Sequence, residues 1–163
     1  MSRKKVEKIL FFSKTLDFLE HYLPDQSLKS RNTIETYRDA LTVFRRYITD
    51  TMNLSLRTFG FEDCTHDFLL SYIEFLHKNG NSETTCNNRL GAIRAYLWYA
   101  ADCDISLQSV ALTASRVPFL KVPKLTREVI PDDALKALLS APPDTKIGRR
   151  DRLILILLYD SAV

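Results

Sequence analysis

The stretch from Lys29 to Ile48, KSRNTIETYRDALTVFRRYI, constrains the fold of this chain more than any other. Its apolar residues recur every three or four positions, which gathers them into one stripe along an α-helix, and such a stripe must be buried against other elements. Ser30, Asn32 and Thr33 are all good N-cap residue types, and Asn32, followed three residues later by Glu35, resembles a capping box, so we predict that the helix begins near Asn32. The stripe consists of Ile34, Tyr37, Leu41, Phe44 and Ile48.

The opposite side of this helix is largely basic. A free helix N-terminus attracts anions, and here Lys29 and Arg31 flank it, which favours a phosphate site. A basic face that only meets water would have the same pattern, so this helix alone leaves both interpretations open. The residues on this side are Arg31, Glu35, Arg38, Thr42, Arg45 and Arg46.

Composition limits the classes of protein that remain. Only four glycines occur in 163 residues, which disfavours Gly-rich phosphate loops and the tight turns of all-β folds. The net charge of +3 is too small to indicate nucleic-acid binding by itself, so the distribution of charge must carry that argument. The three cysteines are widely spaced and form no CxxC pair, which predicts neither a disulfide framework nor a zinc site and fits a reducing cytoplasm. Polar residues interrupt the apolar N-terminal run too early for a signal peptide or a membrane span.

Two further segments, one before and one after this helix, also have helical spacing. The first helix is predicted from Val6 to Leu23, with Pro24 marking its end. The third helix is predicted from about His66 to Lys78, behind a Thr65 cap, and Gly80 suits the left-handed conformation past its C-terminus. The apolar stripes are Ile9, Phe12, Leu16, Leu19 and Leu23 in the first helix and Leu69, Tyr72, Ile73 and Leu76 in the third.

A fourth helix is predicted from Ser82, an N-cap residue, to about Asp102. The face opposite its apolar stripe is small and rich in amides and hydroxyls, so another surface can approach its backbone closely. Asn, Ser, Thr and Arg are recurrent contacts of a helix in the DNA major groove. A groove for packing another helix, around Gly91 and Ala95, is the alternative interpretation. The apolar stripe is Cys86, Leu90, Ile93, Leu97 and Ala101; the polar face is Thr84, Thr85, Asn88, Gly91, Ala92 and Ala95, with Arg89 and Arg94 on its flanks.

The helical pattern breaks after Asp104. The segment from there to Pro131 contains three prolines, and its only charged side chains before Glu128 are basic. Proline keeps such a segment extended, and we interpret it as a strap along a phosphate backbone, although a merely solvated linker would have the same composition. Beyond it, a short helix is predicted with Pro131 at its first position, and the apolar run from Leu153 to Tyr159 is typical of a helix that is buried in a complete domain. The basic residues of the strap are Arg116, Lys121, Lys124 and Arg127.

The sequence contains no catalytic constellation. None of the three histidines has a Cys or carboxylate at metal-ligand spacing, and GxSxG, phosphate-loop and HExxH motifs are absent. We therefore expect no metal, no cofactor and no small-molecule substrate. The residues alone predict a DNA-binding domain of four helices, a linker and the start of a second domain.

The order of these motifs resembles the N-terminal portion of the tyrosine recombinases, also called phage integrases. The resemblance covers essentially the whole chain and is carried by SRNTIETYRDALTVFRRYI, TTCNNRLGAIRAYLWYA and the tail LTREVIPDDALKALLSAP with RRDRLILILLYDSAV. It implies a mainly α fold, in which residues 1–110 form a four-helix core-binding (SAM-like) orthogonal bundle. Residues 111–127 would be the basic linker and 128–163 the incomplete start of a catalytic domain. In the family, the second and fourth helices of the bundle enter the major groove of DNA.

The resemblance also implies that the parent protein is a site-specific recombinase, acting in DNA integration and recombination with other subunits on double-stranded DNA. Ala162 stands where the family usually has Gly, and Val163 immediately precedes the expected catalytic arginine, so we expect this chain to bind DNA without cutting it. Tyr159 is expected to pack rather than to act as a nucleophile. A helical protein-interaction or regulatory module without DNA binding is the alternative function. The expected phosphate contacts are Lys29, Arg31, Arg38, Lys121 and Lys124, and those nearer the groove edges are Asn32, Thr33, Thr84, Thr85, Asn88, Arg89 and Arg94.

Overall fold

The computed structural model describes residues 8–123 and 130–160, and within these ranges the chain is mainly α-helical, with seven helices and no strand. The chain divides into two compact units, with the boundary between Val122 and Pro123. The mainly α fold class is thereby confirmed.

The first helix, α1, begins at Phe11, later than predicted, and changes its winding along its length. The predicted start at Val6 lies outside the described residues. The helix joins a 3₁₀ segment, an α-helical turn and a π-helical segment, which are Phe11–Lys14, Thr15–Asp17 and Phe18–Gln26. The number of residues per turn changes between these segments. The apolar stripe that was predicted from a constant 3.6 residues per turn therefore does not match the buried face of α1.

The burial of α1 shows where that prediction is wrong. Leu16, placed in the apolar stripe, is 67% exposed, whereas Phe11 and Phe18 are completely buried. Pro24 does not end the helix but lies inside its π-helical segment. In that wider turn the amide of Ser27 reaches back five residues to the carbonyl of Tyr22, at 2.8 Å.

The second helix, α2, spans Arg31–Arg46 and continues as a π-helical turn, Tyr47–Thr51. Its cap is Ser30, whose hydroxyl accepts a hydrogen bond from the amide of Thr33 at 3.3 Å. The capping box predicted at Asn32 is therefore wrong by two positions, and the Asn32 side chain is not used for capping. The predicted stripe is confirmed: Leu41, Phe44 and Ile48 are buried, and Ile34 and Tyr37 are half-buried.

The third and fourth helices, α3 (His66–Lys78) and α4 (Glu83–Cys103), match their predictions closely. The hydroxyls of Thr65 and Ser82 cap them by accepting hydrogen bonds from backbone amides at 3.2 and 3.3 Å. Gly80, between the helices, has φ +77°, a conformation that favours glycine. The predicted stripes are buried: Leu69, Tyr72, Ile73 and Leu76 in α3, and Cys86, Leu90, Ile93, Leu97 and Ala101 in α4.

A fifth helix, α5 (Gln108–Ser115), corrects the prediction that the chain is extended after Asp104. A 3₁₀ turn, Ile105–Leu107, leads into it. The sequence has no proline in this stretch before Pro118, and three buried residues at helical spacing pack α5 onto the bundle. Two of these residues are alanines, whose apolar signal is weak, and together with the prolines further along the segment this left the helix unpredicted. The buried residues are Leu107, Ala111 and Ala114.

The second unit contains two helices, α6 (Asp132–Ser140) and α7 (Lys146–Asp160). α7 begins within the stretch predicted to be a loop, because the hydroxyl of Thr145 accepts a hydrogen bond from the Gly148 amide at 3.1 Å and starts the helix earlier. Most apolar side chains of α7 are exposed, and Leu155 is half-buried. Tyr159, which was expected to pack, is 61% exposed.

Aromatic side chains from several elements meet at Phe11 in the core of the first unit. The Phe11 ring lies 5.2 Å from that of Phe44 in α2 and 5.3 Å from that of Tyr96 in α4, measured between centroids. The buried hydroxyl of Tyr96 donates a hydrogen bond to the Phe11 carbonyl at 2.5 Å and accepts one from the Lys14 amide at 3.3 Å. The start of α1 is thereby joined to both α2 and α4.

The Tyr96 hydroxyl gives a test of this core. Burial raises the pKa of Tyr96 from 10.0 to about 12, so the hydroxyl stabilises the fold fully below the unfolded-state pKa, and that contribution is lost as the pH rises through the folded-state pKa. We expect Tyr96→Phe to lower the free energy of unfolding at neutral pH by about 1–3 kcal/mol, because a buried carbonyl loses its donor. The variant should also lose less stability than wild type between neutral and alkaline pH, measured by urea unfolding. Tyr159→Phe, at an exposed position, is the control, and the same pH dependence in wild type and Tyr96→Phe would contradict the assignment.

Candidate nucleic-acid interface

The N-terminal halves of α2 and α4 form two walls of an open groove in the first unit, with a volume of about 630 Å³. The segment after α5 contributes one aromatic side chain to its lining. The lining includes no charged side chain, and its polar groups are amides and hydroxyls, which can both donate and accept hydrogen bonds. The lining residues are Asn32, Thr33, Thr36, Tyr37, Asn87, Asn88, Gly91, Ala92 and Phe119.

Asn32 and Asn88 are the two lining residues best placed to meet a ligand. Both are exposed, and no other group in residues 8–123 or 130–160 is hydrogen-bonded to either side-chain amide. The hydroxyls beside them are engaged: that of Thr33 lies 3.0 Å from the Ser30 hydroxyl, and that of Thr36 donates to the Asn32 carbonyl at 2.9 Å. The groove therefore presents two available amides, one from each wall.

Basic side chains line a second open groove along α2. Lys29, Arg31 and Arg38 share it with Glu35, and its volume is about 590 Å³. Arg31 Nε lies 3.1 Å from Glu35 Oε1, but an ion pair this exposed contributes little stability and can exchange for a phosphate. The first turn of α2 contains no acidic residue, so the positive end of the helix dipole is uncompensated there. Lys121 is also exposed, whereas Lys124 lies outside the described residues.

The small polar face predicted on α4 serves two purposes. Ala92 is 2% exposed and Ala95 is half-buried against the core, so these two residues pack inside the domain. A Cβ atom added to Gly91 would meet nothing within 4 Å, so Gly91 is not required for helix packing and opens towards the groove. Thr84 is exposed but lies outside the groove lining, and the hydroxyl of Thr85 lies 2.9 Å from that of the Ser82 cap.

The two arginines on the flanks of α4 have partners inside the protein. Arg89 Nη1 donates to Asn81 Oδ1 at 2.7 Å. Arg94 Nε donates to the Ala114 carbonyl at 3.0 Å, and its guanidinium carbon lies 4.4 Å from the centroid of the Phe119 ring. Burial lowers the pKa of Arg94, in keeping with a guanidinium that is drawn into the domain. Both arginines tie α4 to neighbouring elements.

Sequence reasoning missed a third asparagine. Asn87 Nδ2 donates to the Leu120 carbonyl at 2.9 Å, and the Leu120 amide donates back to Asn87 Oδ1 at 2.8 Å. This pair of hydrogen bonds fixes the segment after α5 against α4. Neighbouring residues point about 100° apart on a helix, so Asn87 can face this segment while Asn88 faces the groove. The Asn-Asn pair is the only sequence signal for this arrangement.

The described ranges contain no group of three or more His, Cys, Asp or Glu side chains that could hold a metal ion. None of their helices is long and apolar enough to cross a membrane. All three cysteines are free thiols, with Cys64 and Cys86 buried and Cys103 exposed.

Comparisons with known proteins agree on one family. The profile described as phage integrase SAM-like domain matches residues 14–112. A putative integrase/recombinase, y4rD, of Sinorhizobium fredii is 30% identical over 86% of this chain and 52% of its own length. The tyrosine recombinase XerC of Myxococcus xanthus is 30% identical over 90% of this chain and 46% of its own, and XerA of Thermococcus kodakarensis is 29% identical over 93% and 45%. The chain therefore spans about half the length of the curated relatives it matches. No solved structure gave a significant match.

The contact between Asn87 and Leu120 can be tested without any ligand. We expect Asn87→Ala to speed the hydrogen exchange of the Leu120 amide about fivefold, because this amide loses a hydrogen bond worth about 1 kcal/mol. Asn88→Ala is the matched control, since the hydrogen bonds of Leu120 are made by Asn87, and it should leave the rate unchanged. Native-state exchange followed by NMR measures both rates. Equal rates in the two variants would contradict the contact.

Proposed function

This chain belongs to the phage integrase SAM-like domain family and is related to the tyrosine recombinases, and from this premise we propose that it binds double-stranded DNA through the groove between α2 and α4. The DNA-recombination function of the family accounts for such a surface. The domain would act as the core-binding part of a site-specific recombinase that integrates or recombines DNA.

The observation that carries the proposal is the pair of available amides, Asn32 and Asn88, on opposite walls of one groove. An asparagine amide pairs bidentately with the N6 and N7 edge of adenine in the major groove. The small residue Gly91 is part of the α4 wall, and its open surroundings let a base edge come close to the α4 backbone. Thr33, Thr84 and Thr85 lie near the same helix ends and are proposed to meet the groove edges or the sugar-phosphate wall.

The basic residues beside the groove supply the second part of the proposal. Lys29, Arg31 and Arg38 would contact phosphates, which fix the protein on the duplex without reading sequence. Lys121 and Lys124 would extend these contacts along the linker. Arg89 and Arg94, which the sequence analysis placed among the DNA contacts, have partners within the protein, and we assign them to holding α4 in place.

The remaining parts of the proposal concern the whole protein. Its activity would be strand exchange between DNA sites, carried out with other recombinase subunits that assemble on the DNA, and its location would be the cytoplasm. The free thiols of this chain fit a reducing compartment. We propose no metal and no cofactor for it.

The first experiment distinguishes the contribution of the groove between α2 and α4 to DNA binding from that of the basic residues beside it. Binding to a mixed-sequence duplex is measured by fluorescence anisotropy at about 50 and about 200 mM salt. For Lys29→Ala/Arg38→Ala we expect the slope of log affinity against log salt to become shallower by about two, because two phosphate contacts are lost. For Asn32→Ala/Asn88→Ala we expect weaker binding with the slope unchanged.

Gln108→Ala is the matched control for the amide variants, because Gln108 is an exposed amide in α5 outside the groove lining. It should bind like wild type. Binding that is absent or independent of salt would overturn the proposal and favour the alternative, a helical protein-interaction module.

The second experiment addresses cleavage. We propose that these 163 residues bind DNA without cutting it, because the relatives named as recombinases are about twice as long as the portion matched here. Incubation with supercoiled plasmid should leave the plasmid supercoiled, as seen on an agarose gel. Nicked plasmid that appears with wild type and disappears with Tyr159→Phe would contradict this and identify Tyr159 as a nucleophile.

A further inference from the structure

Phe119 is an exposed aromatic side chain in a groove whose other large aromatic lining residue, Tyr37, is half-buried. It is 53% exposed although it lies in the lining formed by α2 and α4. A large apolar side chain left in contact with water contributes less to folding than a buried one. Its exposure therefore needs an explanation other than the stability of the core.

Two contacts hold Phe119 in this position. On its C-terminal side, the next residue, Leu120, is fixed by the two hydrogen bonds with Asn87, at 2.9 and 2.8 Å. The Arg94 guanidinium lies 4.4 Å from its ring centroid, and Arg94 is itself anchored on the carbonyl of Ala114. The ring is thus positioned by hydrogen bonds and by a cation–π contact before any ligand arrives.

Such an arrangement favours a role for Phe119 in binding a ligand. Holding a side chain in place beforehand removes the entropy cost of ordering it when the ligand binds. The only strongly apolar group that a base pair presents in the major groove is the C5 methyl of thymine, and phenylalanine is one of the residues that contact it. The neighbouring amides of Asn32 and Asn88 suit the adenine of the same type of base pair.

We propose that Phe119 contacts thymine methyl groups in the bound duplex, and that Asn87 and Arg94 are positioning residues that hold Phe119 for this contact. The inference rests on the proposed function, because it needs DNA in the same groove. It predicts that the protein binds A·T pairs that carry the thymine methyl group more tightly than the same pairs without it. It also gives the segment after α5 a role in reading sequence.

The test removes only the methyl groups. The full chain is titrated with a duplex of alternating adenine and thymine and with the same duplex carrying deoxyuridine in place of thymidine. Wild type should bind the thymine duplex more tightly by about fourfold for each methyl group that is taken out of water. Phe119→Ala should bind both duplexes with equal affinity while keeping the salt dependence of wild type.

Two further variants test whether Asn87 positions Phe119 for DNA or only stabilises the fold. Asn87→Ala should lose most of the thymine preference while its thermal unfolding midpoint stays close to that of wild type, because only the segment around Leu120 is released. Asn88→Ala should bind both duplexes more weakly and keep the thymine preference.

The outcomes of the inference and of the proposed function are distinguishable. Salt-dependent binding with equal affinity of wild type for the two duplexes, or a preference that persists in Phe119→Ala, overturns the inference alone. Absence of salt-dependent binding to either duplex overturns both.

Discussion

The packing of Phe11 between Phe44 and Tyr96 is the interaction on which the rest of the first unit depends. These buried rings come from α1, α2 and α4, and the Tyr96 hydroxyl adds a hydrogen bond to the Phe11 backbone. Truncating a buried phenylalanine typically costs about 3–5 kcal/mol, a large share of the roughly 5–15 kcal/mol that stabilises a domain. Because α2 and α4 also carry Asn32 and Asn88, this aromatic core joins the two helices that form the groove walls.

Regular helices with clear caps could be predicted from the sequence, and irregular ones could not. Thr65 and Ser82 cap α3 and α4 as their residue types indicate, and both buried stripes follow the spacing of 3.6 residues. α1 departs from the prediction because its 3₁₀ and π segments change the number of residues per turn. α5 was missed because its buried face is made mostly of alanines, which carry a weak apolar signal.

Only part of the candidate site could be predicted from the sequence, because a local pattern does not reveal contacts between distant parts of the chain. Local pattern identified Asn32 and Asn88 as polar residues on exposed helix faces, but it assigned Asn32 to a cap that Ser30 provides. This correction matters for function, since it leaves the Asn32 amide available in the groove. The roles of Asn87 and Phe119 depend on contacts between α4 and residues about thirty positions away, and such contacts leave no periodic trace in a sequence.

The central claim is that the amides of Asn32 and Asn88 meet DNA. Side-chain amide resonances, followed in a ¹⁵N–¹H NMR spectrum during titration with duplex, test it most directly. We expect the resonances of Asn32 and Asn88 to shift or broaden as duplex is added, while that of Gln108 in α5 stays in place. Duplex binding that leaves both asparagine resonances unchanged would contradict it.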